Sequence, residues 1–465
     1  MAKKASSSDK SKSLKNLDIS ARAIIDNIVF SKTEKMAYYK VSNEVFDFLS
    51  SSQQVSLGLR VTNALNDLMS SRKEKLSCHM IITSVPVDVD SWSAQVKEIS
   101  KGWGTPEGFD RYIDEQVRYL QYEQFHRKVT YLGVSLGKRG AIESSDTNIF
   151  EAGVKGAWDT IKEGIATSLK QPTDEISSTE EMKTRQQEES VYRSLSTGNL
   201  DATRCTAEEI LLLIKRQFYP AMRTPYLEID HDNRIGPGDI ALEVHKAITK
   251  TWRMLKINQL QEDGTEQEGY RACITFASFA KFQGFPSAAI PFLYLPQRVG
   301  LPFTCYARFD LVPSDKIKTE LEKKKQEHKD EIENLSVGRT STDNIIEPFP
   351  SDVMDSLEDI QTISQVITQD KSPWVEGHYR IVIDGTSEAQ VKDYFSFLKQ
   401  RYADMDIHLS WSSGNQAGLF LEQMPGDYVR FDAFKQTTNL TSLATSGFNF
   451  SSDIGDPIFG SEGNI

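Results

Sequence analysis

The sequence predicts an α+β protein: two antiparallel or mixed sheet modules with helices packed on one face, joined by a polar helical linker. Runs of strand length rich in Ile, Val, Phe and Tyr, such as Met36 to Val41 and Val129 to Leu136, alternate with segments of helical spacing, such as Phe109, Ile113, Val117 and Leu120. The same mixture returns after a polar stretch, Gln171 to Glu189, rich in Glu, Gln, Ser and Thr. At 465 residues and 52.5 kDa the chain exceeds what one ordinary core organises.

Residues 1–16 read as a disordered basic tail. Met1 to Lys15 holds five Lys and five Ser, without the apolar middle of a signal peptide. The first α+β domain, 17–140, begins with two β-favouring runs, Ala23 to Phe30 and Met36 to Val41, around a polar turn at Ser31 to Lys35. A helix follows at Val55 to Leu68, then a strand at Leu76 to Val85. Pro106 opens a second helix, and Val129 to Leu136 closes the unit in the order β-β-α-β-α-β. Residues 141–200 read as the polar helical linker, with a short amphipathic helix at Ile149 to Leu169.

The second domain, 201–436, starts with a helix around Ile210 to Ile214 and a polar loop from Asp230 to Gly238. Strands are expected at Ala241 to Val244, Thr251 to Ile257, Tyr270 to Phe282 and Thr304 to Val312. A charged helical hairpin, 314–370, is expected next, made of Ser314 to Leu335 and Pro350 to Thr368. A strand at Trp374 to Ile383, a helix at Glu388 to Tyr402 and a strand at Ile407 to Trp411 complete it. No fixed-period repeat is visible, although the two units resemble each other. Residues 437–465 read as a connector.

Charge and motifs narrow the function. A net charge of −12 argues against a main surface that grips nucleic-acid phosphates, and no direct nucleic-acid site is identified. No apolar run reaches the length of a membrane span; the best, Phe285 to Pro296, is short and broken by proline. Cys78, Cys205, Cys273 and Cys305 lack C-x-x-C spacing and read as buried thiols. The only Gly-Lys pair, Gly137-Lys138, fails the phosphate-binding pattern, because Arg139 follows it and Leu132 stands where the first glycine belongs.

Gly133-Val134-Ser135-Leu136-Gly137 matches G-x-S-x-G, but Tyr131 to Leu136 alternates as a strand and ends in a turn, where a nucleophile elbow needs a helix. Asp230-His231-Asp232-Asn233 starts like a calcium loop, then places Arg234, Ile235 and Ala241 at ligand or glycine positions. The histidines lack metalloprotease spacing. Catalytic, cofactor and metal residues are therefore all assigned as none.

Several segments, taken in order, resemble the N-terminal, non-motor region of the VirB/Tra-type ATPases of conjugative type IV secretion, in the form found in Gram-positive mobile elements. They are Tyr39 to Leu49 (YKVSNEVFDFL), Val85 to Trp92 (VPVDVDSW), Tyr131 to Arg139 (YLGVSLGKR), Leu301 to Pro313 (LPFTCYARFDLVP) and Leu421 to Arg430 (LEQMPGDYVR). Thr437 to Gly460, marked by Ile454-Gly455-Asp456-Pro457, resembles the connector such proteins place before a P-loop motor.

The resemblance implies the docking and assembly half of a secretion ATPase that supports DNA or protein transfer, with ATP and Mg²⁺ belonging to a motor domain after Ile465. It implies a cytoplasmic protein at the inner face of the plasma membrane, with secretion-channel membrane proteins and other ATPase subunits as partners and a homo-oligomeric assembly. The competing expectation is a stand-alone structural or interaction protein of a mobile element or phage, with no ATPase partner.

Overall fold

A computed structural model describes residues 12–13, 19–45, 49–70, 72, 74–86, 89–101, 108–123, 126–139, 176–197, 200–222, 233–242, 247–260, 265–278, 291–298, 303–319, 322–323, 325–326, 329–330 and 373–451. Of the basic tail, Lys12–Ser13 forms strand β1. The expected run Ala23 to Phe30 is two strands, β2 (Ala21–Ile25) and β3 (Ile28–Ser31). Asp26 takes φ 53 between them, a left-handed turn that an Asp-Asn pair accommodates.

β4 (Glu34–Val41) and the short β5 (Glu44–Val45) lead to α1 (Ser51–Met69). The Ser50 N–H donates to Gln53 Oε1 at 2.8 Å, and Leu57, Val61, Ala64, Leu65 and Leu68 face the core. Burying those side chains at about 1.5–3 kcal/mol for each large one outweighs the ~1 kcal/mol cost of Gly58 within the helix. Leu59 points to solvent. β6 (Leu76–Pro86), α2 (Val89–Lys101), α3 (Phe109–Glu123) and β7 (His126–Lys138) complete the unit.

Residues 141–175 of the expected linker, and with them the helix at Ile149 to Leu169, lie outside the described residues. Residues 178–197 form α4 (Ser178–Thr197), which buries Val191 and Leu195 against the core. β8 (Ala202–Arg204) and α5 (Ala207–Arg216) follow, the helix started by a capping box between Thr206 and Glu209. Next come β9 (Arg234–Ile235) and α6 (Pro237–Leu242). The strand expected at Ala241 to Val244 is corrected here, because Ala241 and Leu242 end a helix that Pro237 opens and Asp239 caps at Gly236 N–H, 3.0 Å.

Of the strand expected at Thr251 to Ile257, Leu255 to Ile257 lie in β11 (Leu255–Leu260), whereas Thr251 to Met254 form the hairpin turn that joins it to β10 (Ala247–Lys250). Thr251 closes that turn, its N–H donating to Met254 O at 2.9 Å and its Oγ1 accepting from Met254 N–H at 3.1 Å. β12 (Glu266–Ser278), α7 (Leu295–Arg298) and β13 (Phe303–Val312) follow. In the charged segment, 314–319 and the described residues up to 330 are helical, whereas 331–372 lie outside the described residues. β14 (Trp374–Gly385), α8 (Glu388–Ala403) and β15 (His408–Trp411) match the expected strand, helix and strand. α9 (Gln416–Glu422), β16 (Gln436–Asn439), α10 (Leu440–Ala444) and β17 (Phe450–Ser451) end the described chain.

The α+β class is as expected, and the two modules join into one sheet in the order β1-β10-β11-β12-β14-β13-β6-β7-β4-β3-β2-β9. The order is nearly palindromic. Each half is a three-strand meander followed by two long strands, the last of which inserts beside the meander: β2-β3-β4-β7-β6 in one, β10-β11-β12-β14-β13 in the other. The halves meet where β6 and β13 pair antiparallel, from Thr83↔Thr304 to Leu76↔Leu311. The charged segment between β13 and β14 thus holds the topological place of α2 and α3 between β6 and β7.

Helices cover both faces. α1, α4, α8 and α10 pack on one, with Phe30, Tyr39, Ile82, Phe309 and Ile381; α5, α6 and α9 occupy the other, with Val29, Ile81, Tyr306 and Val382. The sheet curls around this second layer. Laid flat, β10 and β2 would stand about 43 Å apart at ~4.8 Å per strand, yet the chain from Ser13 of β1, paired beside β10, to Ala21 of β2 reaches about 29 Å at most. Ile248 of β10 and Ile24 of β2 accordingly share one apolar cluster.

Candidate functional site

On the face covered by α9, the alternation of side chains brings a polar row to the centre of the sheet. His378 of β14 pairs with Arg308 of β13, Arg308 with His79 of β6, and His79 with Gly133 of β7, which faces Tyr38 of β4. One step along the strands, Arg380 lies beside Tyr306. Only glycine fits at 133, since a Cβ there would stand 2.7 Å from Tyr38 Cε1.

The end of α9 and the loop after it close over this row. Arg308 Nε donates to Glu422 O at 3.1 Å and its Nη2 to Met424 O at 2.7 Å. Tyr306 Oη donates to Leu419 O at 2.9 Å. Glu422 and Arg380, both with fully buried side chains, form an ion pair at 3.5 Å. Glu422 Oε2 also accepts from the N–H groups of Arg430 and Phe431, at 3.1 and 3.2 Å, while Arg380 Nη2 donates to Phe431 O at 2.8 Å. On the other half of the sheet, Tyr38 Oη lies 2.9 Å from His79 Nδ1 and accepts from Gly426 N–H at 2.9 Å.

Burial governs the titration of this row. It pushes the carboxyls of Glu34 and Glu422 above their ordinary range, against the opposing pull of nearby arginines. It holds His79 well below 6.5, helped by the Arg308 charge, so His79 is neutral. The row has the residue types of acid–base chemistry, and Arg380, Glu422, Gln416 and Asp427 are all at 0 % exposure. Its hydrogen bonds hold the loop that follows α9.

That loop presents aromatic side chains. Asp427, fully buried, accepts from Arg430 Nε at 2.9 Å through Oδ1 and from Arg430 Nη2 at 3.0 Å through Oδ2. Arg430 in turn lies over the Tyr428 ring, 4.5 Å to its centroid. Tyr428 and Phe434 are 46 % and 41 % exposed, with Phe431 packed 6.4 Å from Phe434. A rigid base with exposed rings suits protein recognition, because little side-chain freedom remains to be lost on binding.

The sequence motifs fall elsewhere. Ser135 lies within β7, its Oγ accepting from Gly137 N–H at 3.3 Å and donating to Glu34 Oε2 at 3.5 Å, so the strand reading of G-x-S-x-G holds. Gly137 and Lys138 end the same strand. Asp230, His231 and Asp232 lie outside the described residues. All four cysteines are buried free thiols, with Cys273 and Cys305 pushed up to about 12 by burial. Among the described residues no cluster of His, Cys, Asp or Glu is arranged to hold a metal, and no helix is long and apolar enough to cross a membrane.

Sequence reasoning did not single out the buried row. Its signal is a charged or polar residue at alternate positions within apolar strands, as in Tyr306-Ala307-Arg308-Phe309-Asp310 and His378-Tyr379-Arg380. A separate open groove of about 600 Å³ runs along the outer side of α4, lined by Met182, Arg185, Glu189 and Arg193. In comparisons with known proteins, no family model matches the chain and no curated protein matches it.

Proposed function

We propose that this chain is a docking and assembly module of a conjugation-type secretion ATPase, working through protein partners rather than by chemistry of its own. One observation carries the reading. Two of the segments behind the resemblance, Leu301 to Pro313 and Leu421 to Arg430, lie far apart in sequence but are joined by the buried Arg308 bonds to Glu422 and Met424. Together they hold the exposed aromatic loop 427–434. Secretion-channel proteins and other ATPase subunits are the partners this reading assigns to that loop. The nucleotide and Mg²⁺ belong to the motor the module serves.

The test is a mating assay in the native host. Deleting the gene is expected to lower transfer at least a hundredfold. Complementation with Tyr428→Ala/Phe434→Ala should leave transfer at least tenfold below wild type, with protein level and unfolding midpoint unchanged. Undiminished transfer in the deletion strain overturns the reading, and the stand-alone interaction protein then becomes the better account.

A further inference from the structure

We propose that Arg216, the last residue of α5, is an oxyanion-binding residue, its guanidinium pairing with a phosphate or carboxylate group beside the Arg271–Asp384 ion pair. The side chain is a charge without a counter-charge. Its Nη1 is enclosed and donates to no acceptor. Burial draws the guanidinium down to about 10, against the pull of Asp384 and with the push of Arg271. Leaving a buried charge unpaired is costly, so the arrangement favours an anion that completes it.

The neighbouring groups are already committed. Arg271, 2 % exposed, donates from Nε to Asp384 Oδ1 at 2.7 Å and from Nη2 to Oδ2 at 2.6 Å, so both carboxylate oxygens are taken. Its Nη1 donates to Gln217 O and Oε1 at 2.7 and 2.6 Å. Two guanidiniums thus share one carboxylate, an excess of positive charge in a protein of net charge −12. Arg216 is half-buried as a residue and the Asp384 side chain keeps 23 % of its surface exposed, so the cluster stands at the edge of the core.

The other half of the sheet fills the same position. α4, β8 and α5 follow β7 as α8, β15 and α9 follow β14, with β8 paired to β4 and β15 to β12, the third strand of each meander. Both α5 and α9 end in a buried Gln cap, Gln217 and Gln423, and both continue to Pro and a left-handed residue, Ala221 at φ 52 and Gly426 at φ 74. Arg216 therefore stands where Glu422 stands in the second half. Glu422 has Arg380 and two main-chain N–H groups around it. A guanidinium in that place calls for the inverse, oxygen acceptors carrying negative charge, and its planar fork matches a phosphate or carboxylate.

Urea unfolding of the full chain in sodium phosphate, sodium acetate and sodium chloride at equal ionic strength tests this independently of any secretion role. Phosphate also stabilises folds in general by exclusion from their surface, so the gain is read as the difference between wild type and Arg216→Met. One of the two oxyanions is expected to raise the wild-type folding constant about tenfold more than that of the variant, once it exceeds its dissociation constant tenfold. The stronger of the two names the ligand class. In chloride Arg216→Met should be at least as stable as wild type, because it removes an unpaired buried charge. Arg253→Gln, at an exposed arginine on the β10–β11 turn, should keep the wild-type gain. Equal gain in wild type and Arg216→Met, or none in either, overturns the site. A loss of more than about tenfold in the folding constant of Arg216→Met in chloride, about 1.4 kcal/mol, also overturns it, since the guanidinium would then be satisfied within the fold.

Discussion

Glu422→Gln isolates the charge that locks the loop. The glutamine retains an oxygen for the Arg430 and Phe431 N–H groups, so the substitution removes mainly the attraction to Arg380. At 3.5 Å and an effective dielectric near 20 that attraction is about 5 kcal/mol. Arg380 keeps its bond to Phe431 O but loses its only counter-charge within 4 Å among the described residues. Breaking a buried pair from one side costs about 3–5 kcal/mol, chiefly because the surviving charge stays buried. Urea unfolding, followed by tryptophan fluorescence with buried Trp374 as reporter, should show a loss in that range. The double variant Arg380→Met/Glu422→Gln removes both charges of the pair and should be at least about 2 kcal/mol more stable than the sum of the single losses predicts. A cost under about 1 kcal/mol for Glu422→Gln, or strict additivity in the double variant, refutes the lock. Since burial raises the Glu422 carboxyl above its ordinary 4.5 in the folded state, folding takes up a proton as pH falls, so wild type gains stability relative to Glu422→Gln and the gap between them should widen towards lower pH.

His79 is held below its ordinary 6.5 in the folded state, so below that pH the unfolded chain binds a proton that the folded chain refuses, and stability falls by about 1.4 kcal/mol per pH unit. Between pH 6.5 and 5.5 urea unfolding should show the loss reduced by about 1 kcal/mol in His79→Gln; Glu34 and Glu422 shift in the opposite sense but are common to both proteins and cancel in the difference. Lys128 donates to Gly447 O and Phe450 O at 3.0 and 2.6 Å, so Lys128→Met should speed amide exchange at 446–450 at least tenfold while leaving the β6 amides unchanged; equal protection in both proteins counts against this tether. Gly426 has φ +74 and leaves 2.5 Å between an added Cβ and Val29 Cγ1, so Gly426→Ala should lose at least about 2 kcal/mol and open 423–435 to limited proteolysis, and a resistant loop argues against the clamp. A thiol reagent should label none of the four cysteines until the protein unfolds, since burial raises all of them; native labelling within minutes contradicts that burial.

The long strands were legible because burial of both faces wrote them as extended apolar runs, and α8 because Val391, Tyr394 and Leu398 recur at helical spacing. Turns were less so. Asp26-Asn27 and Thr251 to Met254 break runs whose composition alone favours one strand, and the break depends on a left-handed residue in one case and a threonine-closed turn in the other. α2 escaped because Trp92, Val96 and Ile99 stand among Ser91, Ser93 and Ser100, a pattern that also suits a loop. The buried row was visible only in part. Arg308 and Arg380 within apolar strands announce a buried polar network, but their partner Glu422, which accepts through its carbonyl and carboxylate oxygens, lies more than forty residues from Arg380 and more than a hundred from Arg308, and pairing across such separations is set by the tertiary fold.

The loop and the duplicated sheet explain each other. Where β6 and β13 pair, each half of the sheet is open to the other, and the polar row crosses that junction from His378 and Arg308 to His79 and Tyr38. The clamp reaches both sides: Arg308 and Arg380 hold Glu422, Met424 and Phe431 from one half, and Tyr38 holds Gly426 from the other. Arginine suits this position because its guanidinium donates to several carbonyls at once while keeping its charge when buried. Tyr428 and Phe434 thus stand on a loop anchored on both sides of the seam between the halves. The clamp follows from charged side chains placed where an all-apolar seam would have packed without specifying a partner.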